Sequence, residues 1–418
     1  MSKENQFSIF ELKNGLRIVH QQSNRSVAHC GLFIKAGSRD ERNEESGLAH
    51  FIEHSLFKGT THRRAVHILN RLDSVGGDLD AYTTKEYTCI HASFLNEYLD
   101  RSLDLISDIV LNSTFPEKEL RKEKEVIIDE INAYQDSPID QIYDDFEGQV
   151  FHGHALGNPI LGTKASVLSL NRAHIDKYLN RLYTAPNMVL SCVSKHSTKQ
   201  FQRKAEKYFS ALSARNAMKG DSNFGGNRSL RKTVKRHTSQ THIMMGKSLF
   251  GNEHPKHVAF LLLNNLLGGP AMNSILNMRI RERYGFTYNI ESHYSPYSDA
   301  GLFSIYLGTD KRHLEQSIKH IQRELKQLCT KKLSANKLHL SKQQFKGQMA
   351  LARENEGNVM LSSGRSLMYY NQVRTMEWWA KAIDAVTAEE IQTLADEHFK
   401  QAEFDQLIFE GNEKQIMV

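Results

Sequence analysis

We expect an α+β fold made of two similar domains, and two observations predict the division into domains. The first is size: 418 residues with a hydrophobic share of 39% exceed what one domain usually holds and suffice for real cores. The second is a polar segment, rich in Gly, Ser and Asn, that divides the chain into near-equal halves. We expect domains at residues 1–212 and 231–418, joined by a linker at 213–230.

Both halves repeat the same order of predicted elements, strand before helix. In the first half, residues 29–36 alternate as a strand does, and a helix follows. In the second half, a strand pattern at 241–247 precedes an apolar helix at 257–267. Residues 98–111 and 314–328 have the periodicity of amphipathic helices at corresponding places. The repetition indicates a faint internal duplication.

The most informative segment is Ser46–Gly59, which contains the pattern His50-x-x-Glu53-His54. Its first residue is a favoured helix N-cap, and its last favours a helix end. At about 100° per residue, the two histidines and the glutamate share one helix face, opposite an apolar stripe. Histidines four residues apart can bind one metal ion.

This pattern has a direct chemical meaning if the metal is zinc. A zinc ion held by neutral imidazoles lowers the pKa of its bound water to roughly 7. Glu53 is then placed to take the proton from that water and deliver it to a leaving amine. The alternative is a helix with two surface histidines and a chance glutamate, which the motif alone leaves open.

A catalytic zinc site usually has three protein ligands, so a third ligand is expected elsewhere. The segment Phe115–Tyr134 predicts a helix in which Glu130 lies within an apolar stripe. A carboxylate there is costly unless it is paired, and either a metal ion or an ordinary salt bridge supplies the pairing. Glu123, two turns earlier on the same face, is then expected to orient a ligand histidine or the site water.

Together, the histidine motif and Glu130, 76 residues after His54, resemble the pitrilysin/insulinase family of zinc peptidases, the inverzincins. The flanking segments Gly37–Glu41 and Phe57–Thr60 agree with it. The size is similar to the short branch that contains mitochondrial processing peptidase subunits and their bacterial relatives. The resemblance covers nearly the whole chain.

The resemblance implies one zinc ion per chain, bound by His50, His54 and Glu130, with Glu53 as general base and Glu123 orienting a ligand. It also implies two similar α+β domains, each an antiparallel-rich sheet packed with helices, which together form half of a clamshell. The implied activity is that of a zinc-dependent endopeptidase that hydrolyses flexible peptides or unfolded segments. The alternative is a catalytically silent core subunit of a heteromeric complex, as some family members are.

The segment Gly76–Thr88 resembles the edge strand that binds substrate backbone in this family. The resemblance implies substrate contacts at Asp80, Ala81 and Thr83, and an exposed strand edge can bind an extended peptide through main-chain hydrogen bonds. The family usually has Asn at position 80, and an ionised Asp accepts hydrogen bonds but cannot donate them. A plain hairpin is the alternative.

Two features of the second half also match the family. Arg281 and Tyr288 resemble a pair that contacts substrate and helps polarise the scissile carbonyl; the alternative is an exposed Arg beside a packed Tyr. Gly268 and Gly269 resemble a Gly-rich segment that approaches substrate backbone. In the family's longer members, two such halves enclose the site, with zinc in one half and the Arg/Tyr pair in the other. The resemblance therefore implies a homodimer, or a heterodimer with a related subunit, whose active sites are shared between chains.

Composition limits the other partners and the location. The net charge of +6 comes from 54 basic and 48 acidic residues that are well mixed, which does not predict nucleic-acid binding. Four cysteines without metal or redox spacing predict reduced thiols. The chain shows neither the apolar run of a signal peptide nor a membrane-spanning segment, so we expect a cytoplasmic protein without a membrane partner.

Overall fold

The computed structural model describes residues 7–218, 224, 229–400 and 403–411, which form two compact units. The first unit comprises the described residues of Met1–Asn132, Asn158–Ser222 and Leu351–Arg374. The second unit comprises the described residues of Ala133–Gly157, Asn223–Ala350 and Thr375–Val418.

Each unit contains a mixed sheet packed with helices, which confirms the predicted α+β class. Each unit also takes in one segment from the other half of the chain, residues 133–157 and 351–374, which the linear division of the sequence did not include. Within the predicted linker, residues 219–223 and 225–228 lie outside the described part of the chain.

The sheet of the first unit has six strands. They are β1 (Phe7–Glu11), β2 (Arg17–Gln22), β3 (Val27–Ile34), β4 (Asp78–Thr83), β5 (Thr88–Leu95) and β6 (Met188–Ser194). Their order is β1-β2-β6-β3-β5-β4, and every neighbouring pair is antiparallel except β2 with β6. Strand β4 therefore forms one edge of the sheet.

The helices of the chain are bounded as follows. They are α1 (Leu48–Leu56), α2 (Ala65–Asp73), α3 (Leu99–Asn112), α4 (Glu117–Asp136), α5 (Pro138–Val150), α6 (Lys164–Ser169), α7 (Arg172–Leu182), α8 (Thr198–Phe209), α9 (His257–Gly268), α10 (Leu314–Thr330), α11 (Ala335–Arg353), α12 (Glu356–Tyr370), α13 (Met376–Ala385) and α14 (Ala388–Phe399).

Helices cover both faces of the first sheet. Helices α1, α3, α7 and α8 contribute to the larger core on one face. On the other face, α12 packs on buried side chains such as Val19 and Phe33. A Cβ atom at Gly364 of α12 would lie 2.2 Å from the Phe33 ring, so glycine permits this close packing. This arrangement places α1 and α12 on opposite sides of the sheet that ends in β4.

The second unit has a five-stranded sheet. Its strands are β7 (Arg231–Arg236), β8 (Thr241–Leu249), β9 (Thr287–Pro296), β10 (Gly301–Thr309) and β11 (Asp405–Gly411). The order is β7-β11-β8-β10-β9, with β11 and β7 parallel and the other pairs antiparallel. Helices α9, α10 and α14 build its main core, and α5 packs on the other face of the sheet.

The cysteines and the helices bear on two further expectations. All four cysteines are buried and free, in agreement with the prediction of reduced thiols. Among the described residues, none of the helices has the length and apolar character needed to cross a membrane.

Candidate metal centre

Helix α1 carries the histidine motif, and its apolar stripe is buried as the sequence predicts. Leu48, Phe51 and Ile52 are fully buried in the core. The helix begins after Gly47, whose φ of 87° lies in the left-handed region, so the prediction of Ser46 as N-cap is wrong. Glycine is required there because a Cβ atom would lie 2.7 Å from the carbonyl oxygen of Leu161.

Three side chains from two helices converge at the candidate metal centre. His50 and His54 come from α1, and Glu130 comes from α4. Glu130 Oε2 lies 3.8 Å from His50 Nε2 and 3.7 Å from His54 Nε2, and the three donor atoms all lie within 4.8 Å of one another. Tetrahedral zinc ligands lie about 3.3 Å apart at ordinary bond lengths. The group therefore fits a zinc ion with little adjustment.

His50 is held in its neutral form. Its burial, and then the charge of nearby His54, lower the pKa of His50 to about 3. The two imidazole rings have centroids 4.5 Å apart. Because metal ions bind the unprotonated ring, His50 presents a free lone pair across the neutral pH range.

His54 is oriented by a carboxylate, as expected for Glu123. Glu123 Oε2 lies 3.3 Å from His54 Nδ1, which leaves Nε2 directed towards Glu130. Burial alone would lower the pKa of His54, but Glu123, Glu53 and Glu130 outweigh it and raise the pKa. The other oxygen of Glu123 lies 2.7 Å from Lys58 Nζ, a contact that sequence reasoning missed although Lys58 lies two residues after the end of α1.

The environment of Glu130 differs in part from the sequence expectation. Ile127 and Ile131 are buried, but Val126 and Tyr134 are 48% and 42% exposed, so the apolar stripe around Glu130 is narrower than predicted. The reason is that α4 buries only one narrow face, which carries Glu123. Glu130 lies beside this face, where its carboxylate reaches the histidines.

Glu53 lies in the same helix but faces the edge strand. Its Oε2 accepts a 2.9 Å hydrogen bond from the Thr83 hydroxyl at the end of β4. Burial, supported by the charges of Asp80 and Glu130, raises the pKa of Glu53 to about 7, against the opposing effects of Thr83 and His54. A carboxylate with this pKa can accept and release a proton near neutral pH.

Comparison with known proteins identifies the family. Residues 17–164 match the family model described as Insulinase (Peptidase family M16), and residues 169–345 match the model described as Peptidase M16 inactive domain. The uncharacterized zinc protease YmxG of Bacillus subtilis is 34% identical over 394 residues, which cover 93% of this chain and 95% of that protein. The chain belongs to the insulinase (M16) family of peptidases.

Other relatives agree with this M16 assignment. An uncharacterized zinc protease of Rickettsia felis is 33% identical over 406 residues, 95% of this chain and 96% of that protein. A solved structure from Pseudomonas fluorescens, described as a peptidase M16 inactive domain, has a TM-score of 0.90 at 18% identity and covers 97% of this chain and 98% of its own. A protease structure from Helicobacter pylori has a TM-score of 0.89 at 20% identity, and the match covers 97% of this chain and 99% of that chain. At these identities the two structures support the fold.

The residues predicted to contact substrate backbone, Asp80, Ala81 and Thr83, lie on β4, at the open edge of the first sheet. Asp80 is exposed, and its Oδ1 accepts a 2.8 Å hydrogen bond from the backbone N–H of Ala81. Thr83 points to Glu53. The strand expected to bind peptide backbone is therefore joined to the motif helix, and one of its N–H groups is already bonded to a side chain of the strand.

The substrate-contact residues predicted in the second half of the chain all lie in the second unit. Arg281 belongs to a π-helical segment, Asn277–Arg283, and Tyr288 belongs to β9. Tyr288 is 86% exposed, so the alternative of a packed tyrosine is wrong. Substrate contact by either residue remains a prediction.

Gly268 and Gly269, which precede this segment, lie where a larger residue would clash with neighbouring atoms. A Cβ atom at Gly268 would lie 2.7 Å from the backbone nitrogen of Ser292, where α9 meets β9. A Cβ atom at Gly269 would lie 2.6 Å from the carbonyl oxygen of Asn265. Gly268 therefore permits close packing of α9 on β9, and Gly269 permits the chain to turn tightly at the end of α9. The predicted contact of both glycines with substrate stays a prediction.

Proposed function

We propose that this chain is a zinc-dependent endopeptidase that cleaves flexible peptides or unfolded segments. The observation that carries the proposal is the convergence of His50, His54 and Glu130, with the buried carboxylate of Glu53 on the same helix. Membership of a peptidase family and the names of the relatives support the same reaction class.

In the proposed hydrolysis, the metal ligands, Glu53 and Glu123 have different roles. When bound, zinc supplies the Lewis acidity that polarises the scissile carbonyl and lowers the pKa of the attacking water. Glu53 takes a proton from this water as its oxygen bonds to the carbonyl carbon, and passes the proton to the amine nitrogen as the C–N bond breaks. Glu123 keeps the Nδ1 proton of His54 in place, so that Nε2 remains the donor atom.

Substrate recognition is proposed to use the open edge of β4. An extended peptide placed along Asp80, Ala81 and Thr83 would form main-chain hydrogen bonds and bring its backbone beside Glu53. This mode of binding places few demands on the side chains of the substrate, and it requires a chain without its own fold.

The proposal includes a second copy of the chain. The exposed phenol of Tyr288 and the guanidinium of Arg281 are the groups proposed to stabilise the oxyanion of another copy's site. A homodimer would then contain two equivalent shared sites; pairing with a related subunit is the other form of the same arrangement.

The proposed activity is tested by metal analysis and peptide cleavage. We expect one zinc ion per chain, cleavage of an unstructured peptide that a chelator abolishes, and a loss of about 100-fold or more in Glu53→Gln. If the protein contains no bound zinc and shows no chelator-sensitive cleavage, the proposed peptidase activity is contradicted and a catalytically silent core subunit is favoured.

Site sharing is tested by mixing two inactive variants. Glu53→Gln and Arg281→Ala each lose activity in the proposed homodimer, and a mixture recovers part of it because some dimers contain one intact site. A mixture that recovers no activity, although native mass spectrometry shows mixed dimers, would contradict sharing between chains.

A further inference from the structure

A buried glutamate outside the metal group caps the helix that carries the histidines. Glu41 lies in the core of the first unit, and both of its carboxylate oxygens bind the start of α1. Oε2 accepts a 2.9 Å hydrogen bond from the N–H of Gly47, and Oε1 accepts a 2.8 Å hydrogen bond from the N–H of Ala49. These two groups belong to the first turn of α1, where the backbone has no intrahelical acceptor.

Glu41 performs the capping that the N-cap residue of α1 cannot. The N-cap is Gly47, which has no side chain to accept a hydrogen bond. Each oxygen of a carboxyl group can accept a hydrogen bond, so one side chain satisfies two backbone donors at once. Burial raises the pKa of Glu41 well above its usual range, against the smaller, opposing effects of the bonds from Ala49 and Gly47.

The segment that carries Glu41 is itself bonded to the turn that follows β4. The N–H of Ser38 donates to Thr84 O at 3.2 Å, and the N–H of Arg39 donates to Lys85 O at 2.8 Å. A Cβ atom at Gly37 would lie 2.4 Å from Thr84 O, so the two backbones are in close contact. The segment therefore has a defined position relative to the edge strand.

Glu41 thus links the edge strand β4 to the motif helix α1. Its own segment is hydrogen-bonded to the turn after β4, and its side chain is hydrogen-bonded to the first turn of α1. Helix α1 has only nine residues, and His50 directly follows Ala49. Displacement of its first turn along the helix axis would move His50 relative to Glu130 and Glu53 relative to Thr83.

We propose that Glu41 is a positioning residue that sets the axial position of α1, and with it the spacing of the metal ligands. The inference rests on the proposed binding of zinc by His50, His54 and Glu130. Its consequence is that metal affinity depends on a carboxylate that does not touch the metal.

The test compares two buried glutamates of the same segment. Glu41→Gln keeps the side-chain volume but turns an amide nitrogen towards one of the two N–H donors. Glu45→Gln is the matched control, because Glu45 is also buried and binds Arg181 and the N–H of Arg42 but, among the described residues, forms no hydrogen bond with α1. Zinc affinity is measured by chelator competition, and site geometry by the absorption spectrum of the cobalt-substituted protein.

We expect both variants to lower the melting temperature of the metal-free protein, and only Glu41→Gln to weaken zinc binding, by about tenfold or more. The cobalt spectrum should change in the same variant alone. Zinc affinity within twofold of the wild type in folded Glu41→Gln would overturn the inference, and so would an equal loss in both variants.

A second variant covers the case in which Glu41→Gln does not fold. Glu41→Asp keeps the carboxyl group but is one methylene shorter and cannot reach both donors, so it too should bind zinc more weakly than the wild type; unchanged affinity would overturn the inference. The wild-type titration separates the two proposals, since a wild type without zinc affinity contradicts the proposed function, whereas a variant that matches a zinc-binding wild type contradicts only the role of Glu41.

Discussion

The hydroxyl of Thr83 donates a 2.9 Å hydrogen bond to Glu53. This bond joins the last residue of the edge strand to the helix that carries both histidines. It also lowers the pKa of Glu53 against the larger, opposing effect of burial. The proposed substrate-binding strand and the proposed general base are therefore coupled through one contact.

Replacement of Thr83 by Val should shift the pH dependence of cleavage. Without the hydroxyl, the pKa of Glu53 rises, and the carboxylate is ionised only at higher pH. We expect kcat/KM to fall several-fold at pH 6.5 and much less at pH 8, measured as a pH profile. Thr84→Val is the control, because that hydroxyl bonds to Tyr87 O in the turn; an equal shift in both variants would contradict the prediction.

Replacement of Lys58 by Met should weaken metal binding. Lys58 holds one oxygen of Glu123, whose other oxygen orients His54. Loss of such an outer contact typically lowers metal affinity by about 10- to 100-fold. Chelator competition measures the change, and Lys58→Arg should restore part of it.

Lys122→Met is the control for Lys58. Lys122 forms an exposed ion pair with Glu119 on the same helix as Glu123, and such pairs contribute little. The prediction fails if Lys122→Met weakens zinc binding as much as Lys58→Met does.

Replacement of Asp80 by Asn should make the edge strand more available to peptide. Ionised Asp80 binds the N–H of Ala81 by a charge-assisted hydrogen bond, and a neutral amide binds it less strongly. We expect KM for an unstructured peptide to fall a few-fold while kcat changes little. An unchanged or higher KM would show that Asp80 does not compete with substrate.

Acidification should destabilise the fold through buried histidines. His20 stacks on Phe201, and burial, with a smaller effect of His196, lowers its pKa to about 4. Between pH 6.5 and 4 the unfolded chain binds a proton at His20 that the folded chain does not, so stability falls as the pH falls. The contribution is on the order of 3 kcal/mol.

Urea unfolding at several pH values measures this effect. His20→Gln should flatten the dependence between pH 6.5 and 4, whereas His67→Gln, at an exposed position of α2, should not. An unchanged slope in His20→Gln would contradict the assignment.

The candidate site was predictable from sequence to the extent that it depends on local spacing. His50, Glu53 and His54 share a turn of helix, and this follows from helical geometry alone. Glu130 needed a second argument, its cost within an apolar stripe, and the structure places it at the side of that stripe. Lys58 was not predicted, because nothing in the spacing of a lone lysine indicates which carboxylate it will meet.

The sequence by itself determined the α+β class, the motif helix, the family and the residues of the candidate metal group, because these depend on periodicity and on residue types a few positions apart. Only the tertiary structure decided that Gly47 rather than Ser46 begins α1, that Glu41 caps it, and that α12 packs on the sheet of the first unit. The physical reason is that these features depend on contacts between segments distant in the chain, where packing and burial outweigh local preference.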